Sequence, residues 1–152
     1  MGVSYEDLEA GKTYEVGSHT FTRDEIVQFA SQFDPQPFHL DEASGEASMF
    51  GALVASGWHT CSVMMGMLVR NHLGGSTSMG SPGVDEIRWY KPVRVGDTLT
   101  MTNTILGKRV SASKPDRGIV ETQWQGVNQH GETVVTVRAK VLFGLRNPGS
   151  VA

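Results

Sequence analysis

The fold of this chain has to accommodate one long apolar segment that contains no acidic side chain. No Asp or Glu occurs from residue 47 to residue 84, although the 152-residue chain contains 16 of them. Within this segment, residues 56–72 are mostly apolar, include no proline and are followed by the helix stop signal Gly74-Gly75. Because a helix that is apolar nearly all round has to be buried, we expect a long central helix enclosed by the rest of the fold.

Four strand-like segments follow the apolar segment. They are rich in Val, Ile, Thr and aromatic residues and lie at residues 84–90, 98–106, 119–127 and 133–143. Turn-forming sequences separate them. A helical region followed by successive antiparallel strands predicts an α+β fold, in which a curved antiparallel sheet wraps the long buried helix.

The chain before the apolar segment predicts a strand, a helix and a loop. Residues 14–21 have strand character, and Thr22 and Glu25 have the spacing of a helix-capping box. Apolar residues then recur at helical spacing, and we expect this helix to end at the Asp34-Pro35 step. A short polar helix or turn is expected at residues 41–47.

Bulk properties exclude several classes of protein. The length suits one domain over residues 1–152, and a net charge of −3 with scattered acids and bases gives no basic patch for nucleic acid. No apolar run approaches the ~20 residues of a membrane span, and the N-terminus lacks a signal-peptide pattern. We therefore expect no membrane association and a cytoplasmic location.

Cysteine and histidine give no sign of a metal site or a disulfide. Cys61 is the only cysteine, which excludes an internal disulfide. His19, His72 and His130 fall on a strand, a helix end and a turn, without the spacing of metal ligands. No metal is expected.

Residues 33–39, Phe-Asp-Pro-Gln-Pro-Phe-His, place a carboxylate and an imidazole five residues apart. Pro35 and Pro37 lack an N–H and push the residue before them out of the α region, so we expect a stiff, non-helical loop. Reference pKa values of about 3.9 and 6.5 suit Asp and His to proton transfer near neutral pH. Asp34 and His39 are therefore a candidate acid–base pair, although Asp34 also suits a helix cap and His39 an ordinary surface position.

Together these segments resemble the MaoC-like dehydratases, the group that includes the (R)-specific enoyl-CoA hydratases. The hallmark of that family, Asp-x-Asn-Pro-aliphatic-His, is similar to residues 34–39. The resemblance continues in order through residues 51–58, 88–97 and 128–132. It implies a hot-dog fold and a homodimer with its pocket at the subunit interface.

By this resemblance the chain would be a lyase that adds water to a 2-enoyl-CoA, or dehydrates a 3-hydroxyacyl-CoA, in fatty acid metabolism. Asp34 and His39 would share one water and transfer its protons, and the Gly57 N–H would stabilise the thioester oxygen. Free N–H groups at a helix N-terminus agree with that role. No cofactor is implied, because the acyl-CoA substrate itself carries coenzyme A.

Departures from the family motif predict which residues bind substrate. Gln36 replaces the usual Asn, Ser56 stands where the hydratases carry a His, and Trp58 replaces a smaller aliphatic residue. We expect these three residues to shape the pocket, and Trp58 to restrict acyl length unless its ring turns into the core.

Two other functions stay open from the sequence. One is an acyl-CoA thioesterase, although many hot-dog thioesterases resemble one another in a carboxylate on or just before the central helix, where this chain has none. The other is an acyl-CoA-binding subunit that has lost its activity.

Further side chains have both a functional and an ordinary interpretation. We interpret the side chains of Trp58, Met64, Met65 and Met67 on the central helix as core residues rather than as the lining of an acyl pocket. We interpret His59 as a locally packed residue rather than a pocket residue. Basic side chains suit either the phosphates of coenzyme A or an ordinary solvated surface; they are Arg88, Lys91, Arg94, Lys108, Arg109, Lys114 and Arg117.

Overall fold

Residues 2–149 are described by a computed structural model, in which five strands and three α-helices are joined by short turns. In chain order the elements are Thr13–Thr20 (β1), Arg23–Phe33 (α1), Glu42–Ala47 (α2), Gly57–Leu68 (α3), Gly83–Trp89 (β2), Thr98–Val110 (β3), Arg117–Val127 (β4) and Thr133–Gly144 (β5). Met1 and residues 150–152 of the predicted domain lie outside the described residues.

The five strands form one antiparallel sheet in the order β1-β3-β4-β5-β2. Positions along β3, β4 and β5 alternate between buried and more exposed, as expected for a sheet with one face on a core. That face packs on α3, where Leu99, Met101 and Val135 join Met64 and Met67 in one buried cluster. The predicted α+β class, with the sheet packed on a central helix, is confirmed.

Helix α3 is buried on one side only, which corrects the expectation of a helix enclosed all round. Met64 and Met67 are buried, as predicted, whereas Trp58 and Met65 are about half exposed. The physical reason is that a single five-stranded sheet covers one side of the helix. The regular α-helix also ends earlier than expected, at Leu68, and continues as a π-helical turn over Val69–Leu73.

The loop at residues 33–39, called the proline loop below, departs from expectation at its end. Asp34 and Gln36 adopt non-helical conformations, as the prolines that follow them predict. Pro37–His39, however, form one 3-10 turn, because a proline at the first position of a turn lacks only an N–H that would be unpaired there. Asp34 also caps α1, with its N–H donating to the Ala30 carbonyl at 2.9 Å.

Helix α1 begins as the sequence predicts. The Thr22 side chain accepts a hydrogen bond from the Glu25 N–H, and the Glu25 carboxylate accepts one from the Thr22 N–H. This capping box fixes the start of the helix that carries the proline loop at its other end. Among the helices of residues 2–149, none is long and apolar enough to cross a membrane.

Candidate active site

A cavity with a volume of about 670 Å³ is bounded by the proline loop, the start of α3 and the segment after β2. Asp34, His39 and Gly57 all line it. The fold thus brings together the three residues that the sequence predicts as catalytic, although they come from two separate segments of the chain.

His39 is held between a backbone carbonyl and the Asp34 carboxylate. Its Nδ1–H donates to the Val54 carbonyl at 2.6 Å, and its Nε2 lies 3.3 Å from Asp34 Oδ2. With Nδ1 committed as a donor, only Nε2 can gain or release a proton toward the cavity. The ring is 5% exposed, so the interpretation of His39 as an ordinary surface residue is wrong.

Hydrogen bonds keep Asp34 in its ionised form. Gln36 donates from Nε2 to Asp34 Oδ1 at 2.8 Å, and the buried Ser56 hydroxyl lies near the same carboxyl group. Burial alone would raise the pKa of Asp34, but the Gln36 bond, the Ser56 hydroxyl and the nearby His39 outweigh burial and lower the pKa below its usual value. Two of the three departures from the family motif therefore act on this carboxylate.

Ser56 and Gly57 form the start of α3. Ser56 is fully buried, caps the helix by accepting a bond from the Trp58 N–H at 3.3 Å, and is not among the residues that line the cavity. Among the described residues, none accepts a hydrogen bond from the Gly57 N–H. The start of the helix thus offers the cavity a free donor and a positive partial charge.

Aromatic side chains form much of the cavity wall. Trp58 lines the cavity and is 56% exposed, so its ring does not turn into the core. Trp89 packs against it with ring centroids 5.3 Å apart, and Phe38, Phe50 and Tyr90 also face the cavity. The place of Trp89 in the cavity wall was not predicted from the sequence, because no local pattern distinguishes a Trp at the end of a strand from any other strand residue.

Two of the seven candidate cations line the cavity. Lys91 lies 2.8 Å from Glu132, and Arg94 donates to the Phe50 carbonyl at 3.3 Å. The remaining five cations are not among the lining residues. Of the seven candidates, Lys91 and Arg94 thus lie beside the cavity.

His59 packs behind the cavity, as predicted. Its ring stacks on Phe29 at 4.8 Å, and its Nε2 lies 3.5 Å from Glu25, which also accepts a bond from His19 at 2.6 Å. Burial lowers the pKa of His59 and favours its neutral form. In the described part of the chain, no group of three or more His, Cys, Asp or Glu residues could hold a metal ion.

The chain matches a known protein family over most of its length. The family model described as "MaoC like domain" matches residues 7–128. In a solved structure of a MaoC-like dehydratase from Rhodospirillum rubrum, 41% of aligned residues are identical, the TM-score is 0.89, and the match covers 96% of this chain and 99% of that one.

Two further proteins are similar to this chain, one in sequence and one in fold. An (R)-specific enoyl-CoA hydratase of Rhodospirillum rubrum is 26% identical over 108 residues, which cover 68% of this chain and 69% of that protein. A Mycobacterium tuberculosis protein with a double hot-dog fold matches with a TM-score of 0.82 at 18% identity, over 99% of this chain and 46% of that one. Some curated relatives are much longer, and the chain spans 36% of one and 19% of another. The predicted hot-dog fold is confirmed.

Proposed function

Because this chain belongs to the MaoC-like dehydratase family, we propose that it adds water across the double bond of a 2-enoyl-CoA or removes it from a 3-hydroxyacyl-CoA. The observation that carries the proposal is the ionised Asp34 carboxylate 3.3 Å from the buried His39 ring, in the same cavity as Gly57. A base, an acid and an oxyanion donor are the three groups that this reaction needs.

The proton transfers follow from the bonds of the pair. The Asp34 carboxylate takes a proton from water as the water oxygen bonds to the β carbon. The protonated His39, whose Nδ1–H is held by Val54, delivers its Nε2 proton to the α carbon. Transfer of the proton from Asp34 to His39 then restores both groups. Each positioned proton transfer contributes typically 10²–10⁴-fold in rate.

The thioester oxygen carries negative charge between the two steps. The Gly57 N–H would donate to it, at a helix end whose partial charge favours an anion. One such donor is worth about 10²–10³ in kcat. Dehydration follows the same path in reverse, with the Asp34 and His39 roles exchanged.

Gln36, Ser56 and Trp58 take separate parts in this proposal. Gln36 stabilises the charged Asp34 through a hydrogen bond, the Ser56 hydroxyl helps to lower the pKa of Asp34, and Trp58 borders the space for the acyl group. Lys91 and Arg94 are the cations suited to the phosphates of the substrate's coenzyme A. No separate cofactor takes part in the reaction as proposed, and the cytoplasmic location stays a prediction.

We also propose that the chain works as a homodimer. Large apolar side chains are exposed on the outer side of α3, on the turn that follows it and on the edge strand β2, among them Trp58, Met65, Val69 and Val84. Edge strands and exposed apolar faces are typically covered by a partner, and a two-fold pairing through β2 would bring a second copy beside the cavity.

An assay of two signals separates the candidate functions. The protein is incubated with short, branched and long 2-enoyl-CoAs, and separately with the matching saturated acyl-CoAs, while loss of the conjugated thioester absorbance and release of free thiol are followed in parallel. Hydration removes the absorbance without releasing thiol. Thiol release from saturated acyl-CoAs would instead indicate a thioesterase, and neither signal together with acyl-CoA binding would indicate an inactive subunit.

A further inference from the structure

Trp89 lies directly against the backbone of Gly57. Its indole N–H donates a hydrogen bond to the Gly57 carbonyl oxygen at 3.1 Å. A Cβ placed on Gly57 would lie 2.5 Å from Cε2 and 2.6 Å from Nε1 of the indole, which is far closer than such atoms approach in proteins. The indole therefore occupies the space that any side chain at residue 57 would need.

The backbone of Gly57 does not itself require glycine. Gly57 is the first residue of α3 and is not one of the glycines with positive φ. The three atoms nearest to an added Cβ all belong to Trp89. The requirement for glycine at this position therefore comes from the indole.

Two contacts position Trp89. It is the last residue of β2, where its backbone pairs with Val135 of β5, and Trp58 packs edge-on against its ring with an interplanar angle of 78°. Trp89 is about half exposed, so the place of its ring beside Gly57 depends on these contacts and on the bond to the Gly57 carbonyl.

We propose that Trp89 is a positioning residue, which holds the backbone of Gly57 at the start of α3 so that the Gly57 N–H stays in place at the cavity wall. The inference rests on the proposed function, because it assigns a thioester oxygen to that N–H. Electrostatic stabilisation depends on donors that are aimed before the reaction begins. Loss of the support is therefore expected to lower kcat much more than it raises KM.

A double-mutant cycle of Gly57→Ala and Trp89→Ala tests this role. In the wild-type background the new methyl group collides with the indole, and we expect kcat to fall at least a hundredfold, about the value of one oxyanion donor. In the Trp89→Ala background the methyl group has room, and Gly57→Ala should lower kcat by less than about tenfold. Trp89→Phe, which keeps an aromatic ring, should retain more kcat than Trp89→Ala.

Tyr90→Ala is the matched control. Tyr90 is the next residue and lines the same cavity, but none of its atoms is among the three nearest to a Cβ on Gly57. The Gly57→Ala penalty should be as large in the Tyr90→Ala background as in wild type. If Trp89→Ala and Tyr90→Ala reduced the loss of kcat caused by Gly57→Ala equally, the specific role of Trp89 would be overturned.

Unfolding midpoints of the same variants test the contact without catalysis. We expect Gly57→Ala to lower the unfolding midpoint less in the Trp89→Ala background than in the wild-type background. Equal kcat penalties in the two backgrounds would overturn the positioning role, and equal midpoint losses would overturn the contact. A wild-type protein that hydrates no enoyl-CoA would contradict the proposed function instead, and the unfolding cycle would still decide whether Trp89 holds Gly57.

Discussion

The charge on Asp34 depends on its individual polar neighbours, and the Ser56 hydroxyl can be removed with one substitution. Because this hydroxyl helps to lower the pKa of Asp34, Ser56→Ala should raise that pKa. Asp34 would then lose its charge at a higher pH as the solution is acidified.

We therefore expect the acidic limb of the kcat/KM profile to move to higher pH in Ser56→Ala. Ser62→Ala serves as the control, since the Ser62 hydroxyl is exposed and donates to the Trp58 carbonyl on the same helix. Measurement of kcat/KM across the acidic range checks the prediction. A profile in Ser56→Ala that overlays the Ser62→Ala profile would contradict the role given to Ser56.

Trp58 borders the cavity, so its size should limit the acyl group. Trp58→Leu is expected to raise kcat/KM for long 2-enoyl-CoAs relative to short ones, because one methylene in such a pocket is worth roughly 10–200-fold. Met65→Leu is the matched change on the same exposed side of α3, and Met65 does not line the cavity. An unchanged chain-length profile in Trp58→Leu would show that the ring does not limit substrate size.

At the level of secondary structure, strand β4 carries one polar side chain into the core. Thr122 is 3% exposed, and its hydroxyl finds no hydrogen-bond partner among the described residues. A buried hydroxyl without a partner costs about 1–3 kcal/mol. Thr122→Val should therefore raise the free energy of unfolding by about 1 kcal/mol.

Chemical denaturation of Thr122→Val and of Thr104→Val measures this effect. Thr104 lies on the neighbouring strand β3, and its hydroxyl is hydrogen-bonded to that of Thr13 at 2.8 Å. No gain in stability is expected there. A lower stability of Thr122→Val than of wild type would show that its hydroxyl is hydrogen-bonded in solution.

The sequence predicted elements wherever one local signal dominates. The capping box of Thr22 and Glu25 located α1 correctly, because both bonds of the box lie within one turn. The strands β3 to β5 were predicted within a few residues from their content of Val, Ile, Thr and aromatic residues and from the turns between them, although β3 extends to Val110. The π-helical turn at Val69–Leu73 was missed, since helix formers alone do not specify the hydrogen-bond spacing.

The residues of the candidate site could be predicted from the sequence, but the contact that supports Gly57 could not. Asp34 and His39 stood out because two prolines and two proton-transfer groups share one short segment. The contact between Trp89 and Gly57 joins residues 32 positions apart. No local pattern encodes such a contact, because it depends on how β2 packs beside α3.

For the whole molecule, the exposed apolar side of α3 and the edge of β2 predict a homodimer. Light scattering at micromolar concentration should give about twice the chain mass of 16.5 kDa. Val84→Lys, which places a charge on the β2 edge, should shift the protein toward monomer.

Glu15→Lys is the matched change on the opposite edge strand, β1. It should leave the dimer intact, because the apolar surface lies at the β2 edge. A monomer mass for the wild-type protein, or equal dissociation by both lysine variants, would contradict pairing through β2.

The central claim is that Asp34 and His39 transfer the protons of the added water. The most direct test is to measure kcat for hydration of a short 2-enoyl-CoA by the Asp34→Asn and His39→Ala variants. Asp24→Asn, on the exposed start of α1, is the control for loss of a carboxylate. Each site variant should lose more than about a hundredfold in kcat with an unfolding midpoint close to wild type, while Asp24→Asn stays active. Near-wild-type hydration by a folded Asp34→Asn or His39→Ala protein would contradict the claim.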